Sequence, residues 1–395
     1  MSNVTVKESA PGLAVAQVEA SGATHTAREI AQQPQLWPQV ARLVAGDAHL
    51  AGFVAPLRGD ASVRVVLTGA GTSAYIGECL APALLRTLAC RVEAVATTDL
   101  VANPATWLAS PARTLLVSFA RSGNSPESVA VVELAEQLLA RRAHLIVTCN
   151  REGELYRRAA AMRDTCALLL PPATNDQSFA MTSSFSCMLL AAAIALGVMP
   201  ADAGRIAQLG ELAMQVLESW DTFMHDLVST KFERVVYLGS NELKGLAREA
   251  SLKMLELTDG QVVSMADSPL GLRHGPKTML NARTLVVLFL SNDAYTRRYE
   301  LDLLQELRRD AVAGRVVALS NRTDLPPHAD TRVLAGADSC RLSDLELCLP
   351  YVVFAQSLAM LRSLSLGLSP DRPNVAGTVN RVVQGVSIYP FGSAR

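Results

Sequence analysis

Three stretches of the sequence recur 170 positions further along the chain. Arg64-Val-Val-Leu-Thr-Gly69 returns as Arg234-Val-Val-Tyr-Leu-Gly239, Thr114-Leu-Leu-Val-Ser-Phe119 as Thr284-Leu-Val-Val-Leu-Phe289, and Ala195-Leu-Gly-Val-Met-Pro200 as Ser365-Leu-Gly-Leu-Ser-Pro370. An offset that holds over more than 130 residues with no net insertion predicts two homologous domains in tandem. The length agrees, because 395 residues at roughly 150 per domain leave room for two or three.

Each copy alternates short apolar runs with longer helical patterns. In the first, runs at 63–67, 114–119 and 144–148 are separated by helices expected from residue 73 and over 125–141; the second repeats this with runs at 235–239, 284–290 and 315–320. Continuous apolar strands separated by helices indicate βαβ units, so the predicted fold is α/β, two tandem parallel sheets each covered by helices on both faces. The expected division is a helical lead-in at 1–58, broken at Pro34 and Pro38, a first domain at 59–215, a second at 216–370 and a tail at 371–395. The tail has no counterpart in the first copy, which suggests that it completes a site.

Composition removes several classes of partner. Thirty-six basic and thirty-seven acidic side chains leave a net charge of −1, without the positive field that holds nucleic acid or anionic lipid. Any phosphate must be held locally, by a site. The most apolar run, near 188–199, is shorter than the roughly 18 residues that cross a bilayer, so a buried helix is expected there. The first twenty residues do not read as a signal peptide. Seven scattered cysteines without a C-x-x-C pair point to reduced core thiols in the cytoplasm, with no disulfide framework and no metal site.

Open α/β sheets take ligands at the carboxyl ends of their strands, where helix N-termini offer free N–H groups. Two loops of the first copy suit that role. Gly69-Ala-Gly-Thr-Ser73 supplies Gly71 for close backbone approach and the hydroxyls of Thr72 and Ser73; Arg121-Ser-Gly-Asn-Ser-Pro-Glu127 supplies Arg121, Ser122, Gly123 and Ser125 ahead of a proline suited to a first helical turn. Taken singly, Ser73 and Ser125 read as ordinary helix N-caps. Taken together on consecutive strands of one sheet, the loops favour an anion site. Their counterparts, Gly239-Ser-Asn-Glu-Leu243 and Leu290-Ser-Asn-Asp-Ala-Tyr295, have gained acids, so the phosphate is assigned to the first copy alone.

Glu249, Lys253 and Glu256 fall at i, i+4 and i+7 and share one helical face. Spacing alone favours a routine surface ion pair. The chain has only five lysines against thirty-one arginines, and four of them, Lys231, Lys244, Lys253 and Lys277, crowd into forty-seven residues around this helix. His274, one of six histidines, follows in Arg273-His-Gly-Pro276, a turn that would hold the imidazole out of any helix.

These motifs resemble the sugar isomerase (SIS) domain of phosphosugar-binding proteins, in two tandem copies. The resemblance is closest to the bacterial D-galactosamine-6-phosphate deaminase/isomerase group, also called tagatose-6-phosphate ketose/aldose isomerases, through His25-Thr-Ala-Arg-Glu-Ile30, Asn175-Asp-Gln-Ser-Phe-Ala-Met-Thr182, Arg273-His-Gly-Pro276 and Thr378-Val-Asn-Arg-Val-Val383. It implies that a sugar phosphate is held at Ser73, Ser122 and Ser125, that Glu256 shuttles a proton from C2 to C1, and that Glu249 and Lys253 support it. It also implies that His274 opens the sugar ring, often across a dimer interface, so that a homodimer or larger homo-oligomer is expected. His25, Asn380, Arg381 and Gln384 are candidates for completing the site. Relative to the related glucosamine-6-phosphate synthase, Ala120 stands where that family has a serine, Gln384 falls near its C-terminal lysine, and no glutaminase domain is expected. The reaction expected is deamination without cofactor or metal; the alternatives are ketose/aldose isomerisation, glucosamine-type aminosugar chemistry and a non-catalytic phosphosugar sensor.

Overall fold

A computed structural model describes residues 21–325, 330–336, 341–383 and 385–392. The lead-in forms α1 (Thr24–Ala31), α2 (Gln33–Gly46) and α3 (Ala48–Arg58). The breaks fall at Gln32 and Asp47, not at the prolines expected to cause them. Pro34 sits in the first turn of α2, where a missing N–H costs nothing, and Pro38 is carried inside the same helix.

The first sheet comprises β1 (Arg64–Thr68), β2 (Arg91–Ala94), β3 (Thr114–Ala120), β4 (Arg142–Thr148) and β5 (Thr165–Leu169). Between and after these strands come α4 (Thr72–Thr87), α5 (Thr97–Ala102), α6 (Pro104–Leu108), α7 (Pro126–Leu138), α8 (Glu154–Ala159), α9 (Ser183–Ala195), α10 (Ala203–Ser219) and α11 (Asp221–Ser229). The second sheet comprises β6 (Arg234–Leu238), β7 (Val263–Asp267), β8 (Thr284–Phe289), β9 (Arg315–Ser320) and β10 (Asp330–Val333), with α12 (Glu242–Leu257), α13 (Pro269–Leu272), α14 (Ala294–Asp310) and α15 (Asp344–Ser365).

Both sheets are wholly parallel and share one topology: the order β2-β1-β3-β4-β5 is matched by β7-β6-β8-β9-β10. The repeat extends to backbone detail. Gly71 precedes α4 with φ 55° and ψ −126°, and Asn241 precedes α12 with φ 51° and ψ −120°. Glycine takes that conformation freely and asparagine at some cost.

One hydrophobic core runs through both halves, taking in Trp37, Leu67, Leu80, Phe185, Met254, Phe289 and Phe354. Smaller clusters cover the outer face of each sheet. The 215/216 boundary expected from the repeat falls within α10, which packs on α15 of the other half. The apolar run near 188 lies in the buried helix α9. Helix α15 is long and apolar enough to cross a membrane, yet 94% of its apolar window is buried within the protein. Six of the seven cysteines are free and buried; Cys340 lies outside the described residues.

Candidate active site

Helices α4 and α12, equivalent members of the two halves, pack antiparallel at the centre of the molecule. The backbones meet at Gly245, where a Cβ would lie 2.6 Å from the backbone nitrogen of Cys79. Glu78 and Arg248, themselves 170 residues apart, pair across this crossing at 2.5 Å, as residues beside a two-fold axis must. The antiparallel arrangement carries the last turn of α12 to the first turn of α4, so the second copy's carboxylates meet the first copy's loop at Gly71–Ser73.

That loop begins at Gly71; Thr72 and Ser73 lie inside the first turn of α4 and are nearly buried. The second loop places Ser125 at the N-cap of α7 without a capping hydrogen bond from its side chain. Ser73 is not a cap at all: the cap residue is Gly71, and the Ser73 hydroxyl lies 3.8 Å from the sulfur of Met181. The capping role that these serines usually play is therefore not theirs here. Ser122 and Gly123 are braced from the following loop, since Asn150 Nδ2 donates to the Ser122 carbonyl at 2.8 Å and Leu155 N to the Gly123 carbonyl at 3.1 Å. Arg121 is 6% exposed; it donates to the carbonyls of Arg381 (2.7 Å) and Phe179 (3.4 Å), and its Nε is buried without a partner. Burial, followed by the neighbouring Arg381 guanidinium, lowers its pKa.

On α12, Glu249 and Lys253 are both completely buried, so the surface pair suggested by spacing alone is not what forms. Lys253 Nζ hydrogen-bonds Glu256 Oε2 and lies 3.6 Å from Glu249 Oε1. Glu256 retains some exposure and is the member of the set open to a ligand. Burial raises the pKa of Glu249 to about 8, helped by Glu256 and opposed by Lys253 and the Thr72 hydroxyl. Burial works against the Lys253 ammonium, but the two carboxylates outweigh it and hold its pKa above the usual lysine value. Arg121 feels the charge of Glu256, and Lys253 that of Arg121, so the α12 set and the Arg121 loop share one electrostatic environment.

The other sequence candidates divide. Arg381 joins the site: it donates to the Asp176 carbonyl (Nε, 3.1 Å) and to Asn175 Oδ1 (3.3 Å) while its own carbonyl holds Arg121. Asn380 is exposed and closes a turn of the tail on Gly377. His25 is exposed beside Arg28, its Nδ1 at 3.0 Å from the guanidinium. Gln384 lies outside the described residues. His274 is exposed in a turn whose neighbours Arg273 and Lys277 are tied to Glu306 on α14. The strand leading to it contacts Lys244 in the first turn of α12 through Asp267, whereas Glu256 lies in the last turn, about 18 Å further along a helix that rises 1.5 Å per residue. Within one chain the structure does not bring His274 to Glu256.

Sequence reasoning missed three residues here. Tyr75, one turn beyond Thr72, is half-buried, and burial followed by the Glu249 and Glu78 carboxylates raises its pKa. Its i+3 spacing from Thr72 was the available signal. Glu29 and Asp176 form a buried carboxylate pair behind the loops, and each lies in a motif that carried the family resemblance.

Two helix-initiating loops flank the point where the first sheet's strand order reverses, and a helix carrying the buried Glu249–Lys253 pair faces them from a second sheet of the same topology, which defines a tandem-repeat α/β protein. The SIS domain profile matches residues 60–196. The chain is 42% identical over 382 residues to the D-galactosamine-6-phosphate deaminase AgaS of Shewanella sp. (strain ANA-3), covering 96% of this chain and 95% of the relative. It is 41% identical over 374 residues to that of Escherichia coli, covering 94% and 97%. A crystal structure of tagatose-6-phosphate ketose/aldose isomerase from Escherichia coli superposes with a TM-score of 0.88 at 38% identity, covering 98% of this chain and all of that one. The chain belongs to the SIS-domain family of D-galactosamine-6-phosphate deaminases.

Proposed function

We propose that the chain converts D-galactosamine 6-phosphate to D-tagatose 6-phosphate and ammonium. The observation that carries this reading is Lys253 buried between Glu249 and Glu256 at the mouth of the phosphate loop, in a chain 41–42% identical to named deaminases of that substrate.

The phosphate rests on the hydroxyls of Ser73, Ser122 and Ser125, the amides around Gly71, Thr72 and Gly123, and the Arg121 guanidinium. In the open-chain sugar, Glu256 removes the C2 proton to give an enolamine and returns it to C1, leaving a C2 ketimine. Water adds at C2 and ammonium departs, so the ketose oxygen comes from water. Lys253 orients Glu256 through its hydrogen bond and polarises O1, while Glu249 fixes the lysine. His274 opens the ring. Its exposure and its distance from Glu256 within one chain support delivery to the site of a second copy, hence an assembly of at least two chains in the cytoplasm. The domain division at 59, 216 and 371 serves as a functional one: first half phosphate, second half proton transfer, tail cover.

Ammonium release from galactosamine 6-phosphate against glucosamine 6-phosphate, with tagatose 6-phosphate assayed for aldose formation, separates deamination from simple isomerisation. Glu256→Gln should abolish solvent deuterium exchange at C2 while sugar-phosphate binding persists; retained exchange would sink the assignment. Binding without turnover by the wild type would identify a sensor.

A further inference from the structure

Glu29 of α1 is 2% exposed, and its carboxylate accepts from the backbone nitrogens of Gln177 (2.5 Å) and Ser178 (3.2 Å), almost 150 residues away. The loop it grips is held from the other side by Asp176, whose buried carboxylate accepts from Thr182 N and Ser184 N, each at 2.8 Å, at the start of α9. While the loop's N–H groups face these carboxylates, its carbonyls face the phosphate site. Asp176 O receives Arg381, and Phe179 O receives Arg121. Two residues on, Met181 touches Ser73 of the first phosphate loop. One short segment thus contacts both phosphate loops, and Glu29 holds its N–H side. The charged groups around Glu29 are Arg28 on its own helix, 3.9 Å away, and Asp176 in the loop; Arg121 and Arg381 lie across the loop.

We propose that Glu29 is a positioning residue for phosphate recognition: by gripping the amides of Gln177 and Ser178 it fixes the 176–181 loop, and through it Arg121, Arg381 and Ser73, at the sugar-phosphate site. The proposal rests on the phosphate site assigned above. It does not depend on which sugar is turned over. Burial and the adjacent Asp176 carboxylate raise the pKa of Glu29 to about 7. As pH falls through that value the carboxylate gains a proton and one of its acceptor positions becomes a donor, so the grip loosens and sugar-phosphate affinity drops on the acid side.

The test compares wild type with Glu29→Gln, which keeps size and one acceptor oxygen but cannot titrate, and with Glu29→Asp, which keeps the charge at shorter reach. Calorimetry with tagatose 6-phosphate gives Kd from pH 6 to 8.5, and ammonium release from galactosamine 6-phosphate gives KM and kcat. Glu29→Gln should raise Kd and KM about tenfold at pH 8, with a much smaller change in kcat, and should flatten the acid-side rise in Kd; Glu29→Asp should retain part of that rise. A lowered melting temperature with unchanged Kd would make Glu29 merely structural and overturn the proposal. So would a fall in kcat at unchanged KM. Should Glu29→Gln fail to fold, a wild-type Kd constant from pH 6 to 8.5 overturns it. Tagatose 6-phosphate binding without ammonium release by the wild type counts against the proposed reaction alone, and the Glu29 comparison is still read from Kd; absence of any sugar-phosphate binding overturns both.

Discussion

Placing a lysine between two carboxylates inside a protein leaves few stable charge states. Lys253 and Glu249 have no exposure, and the hydrogen bond from Nζ goes to Glu256, so Lys253 keeps its charge between the two carboxyl groups. Glu249, wholly buried, keeps its proton up to a pKa of about 8 against an ordinary 4.5. Between those values the folded protein binds more protons than the unfolded chain, so this contribution is complete below pH 4.5 and lost as pH rises through 8. The stability of wild type relative to Glu249→Gln should therefore fall from pH 5 to pH 8, by at most about 1.4 kcal/mol per pH unit. Urea midpoints of the two proteins at pH 5, 6.5 and 8 measure it, because Glu29 and Glu300, both raised to about 7, titrate in each and cancel. A difference independent of pH would mean that Glu249 titrates normally. Lys253→Met should behave unlike most changes to a buried ion pair. Glu249 can remain protonated and Glu256 can reach water, so no stranded charge results and the melting temperature should move little. C2 deuterium exchange should fall at least about a hundredfold, the usual scale for losing the support of a general base.

At the scale of elements, the site exists because α4 and α12 cross with nothing between them. Alanine at position 245 would gain roughly 1 kcal/mol in helix propensity, but its Cβ would meet the Cys79 nitrogen at 2.6 Å and the Glu78 carbonyl carbon at 2.8 Å, backbone atoms that cannot rotate away. Gly245→Ala should cost about 2 kcal/mol, within the range for overpacking. Chemical denaturation reads it, and a more stable variant would contradict the close crossing. The tail acts from outside. Asp371 caps α1 by accepting from the nitrogens of His25 and Thr26, Asn374 reaches Asp259 just past α12, and Arg381 docks beside Arg121. Removing residues 375–395 spares the cap, so the melting temperature should hold while the KM for sugar phosphate rises; an unchanged KM would reduce the tail to decoration. This division between core and cover also explains what could be read from sequence. Strands buried on both faces, such as β1, β3, β6 and β8, show as continuous apolar runs. The edge strands β2, β5, β7 and β10 escaped detection because exposure frees their sequences from that pattern, as in Arg91-Val-Glu-Ala94. Glu249, Lys253 and Glu256 were legible as a set because one helix holds all three. The grip of Glu29 on Gln177 and the separation of His274 from Glu256 were not, since each depends on where distant segments meet.

For the whole molecule, the question raised by a tandem repeat is what became of the second site. The loop equivalent to the Arg121 loop has its donors taken by the protein's own carboxylates. Ser291 N donates to Glu300 at 2.7 Å, Asn292 N to Asp344 at 2.7 Å, and the Ser291 hydroxyl also to Asp344. Glu300 further meets the Ser240 hydroxyl of the other loop, so it bridges the two loops of this half, the place that a phosphate would take in the first. Arg86 occupies the position equivalent to Glu256, and it pairs with Glu242, the counterpart of Thr72. Charge is thus inverted between the halves: a cation on the loop and an acid on the facing helix in the first, acids from α14 and α15 filling the loop and a cation on the facing helix in the second. An anion entering the second site would have to displace the Glu300 and Asp344 side chains from the loop donors that they already hold. Calorimetric titration with tagatose 6-phosphate should therefore give one site per chain whatever the number of chains in the assembly. Asp344→Asn and Glu300→Gln together should leave that stoichiometry at one, because the amides still fill the loop, while flattening the part of the stability profile near pH 7 that Glu300 controls. Two sugar phosphates per wild-type chain would show that the second half had kept its site despite the inverted charges.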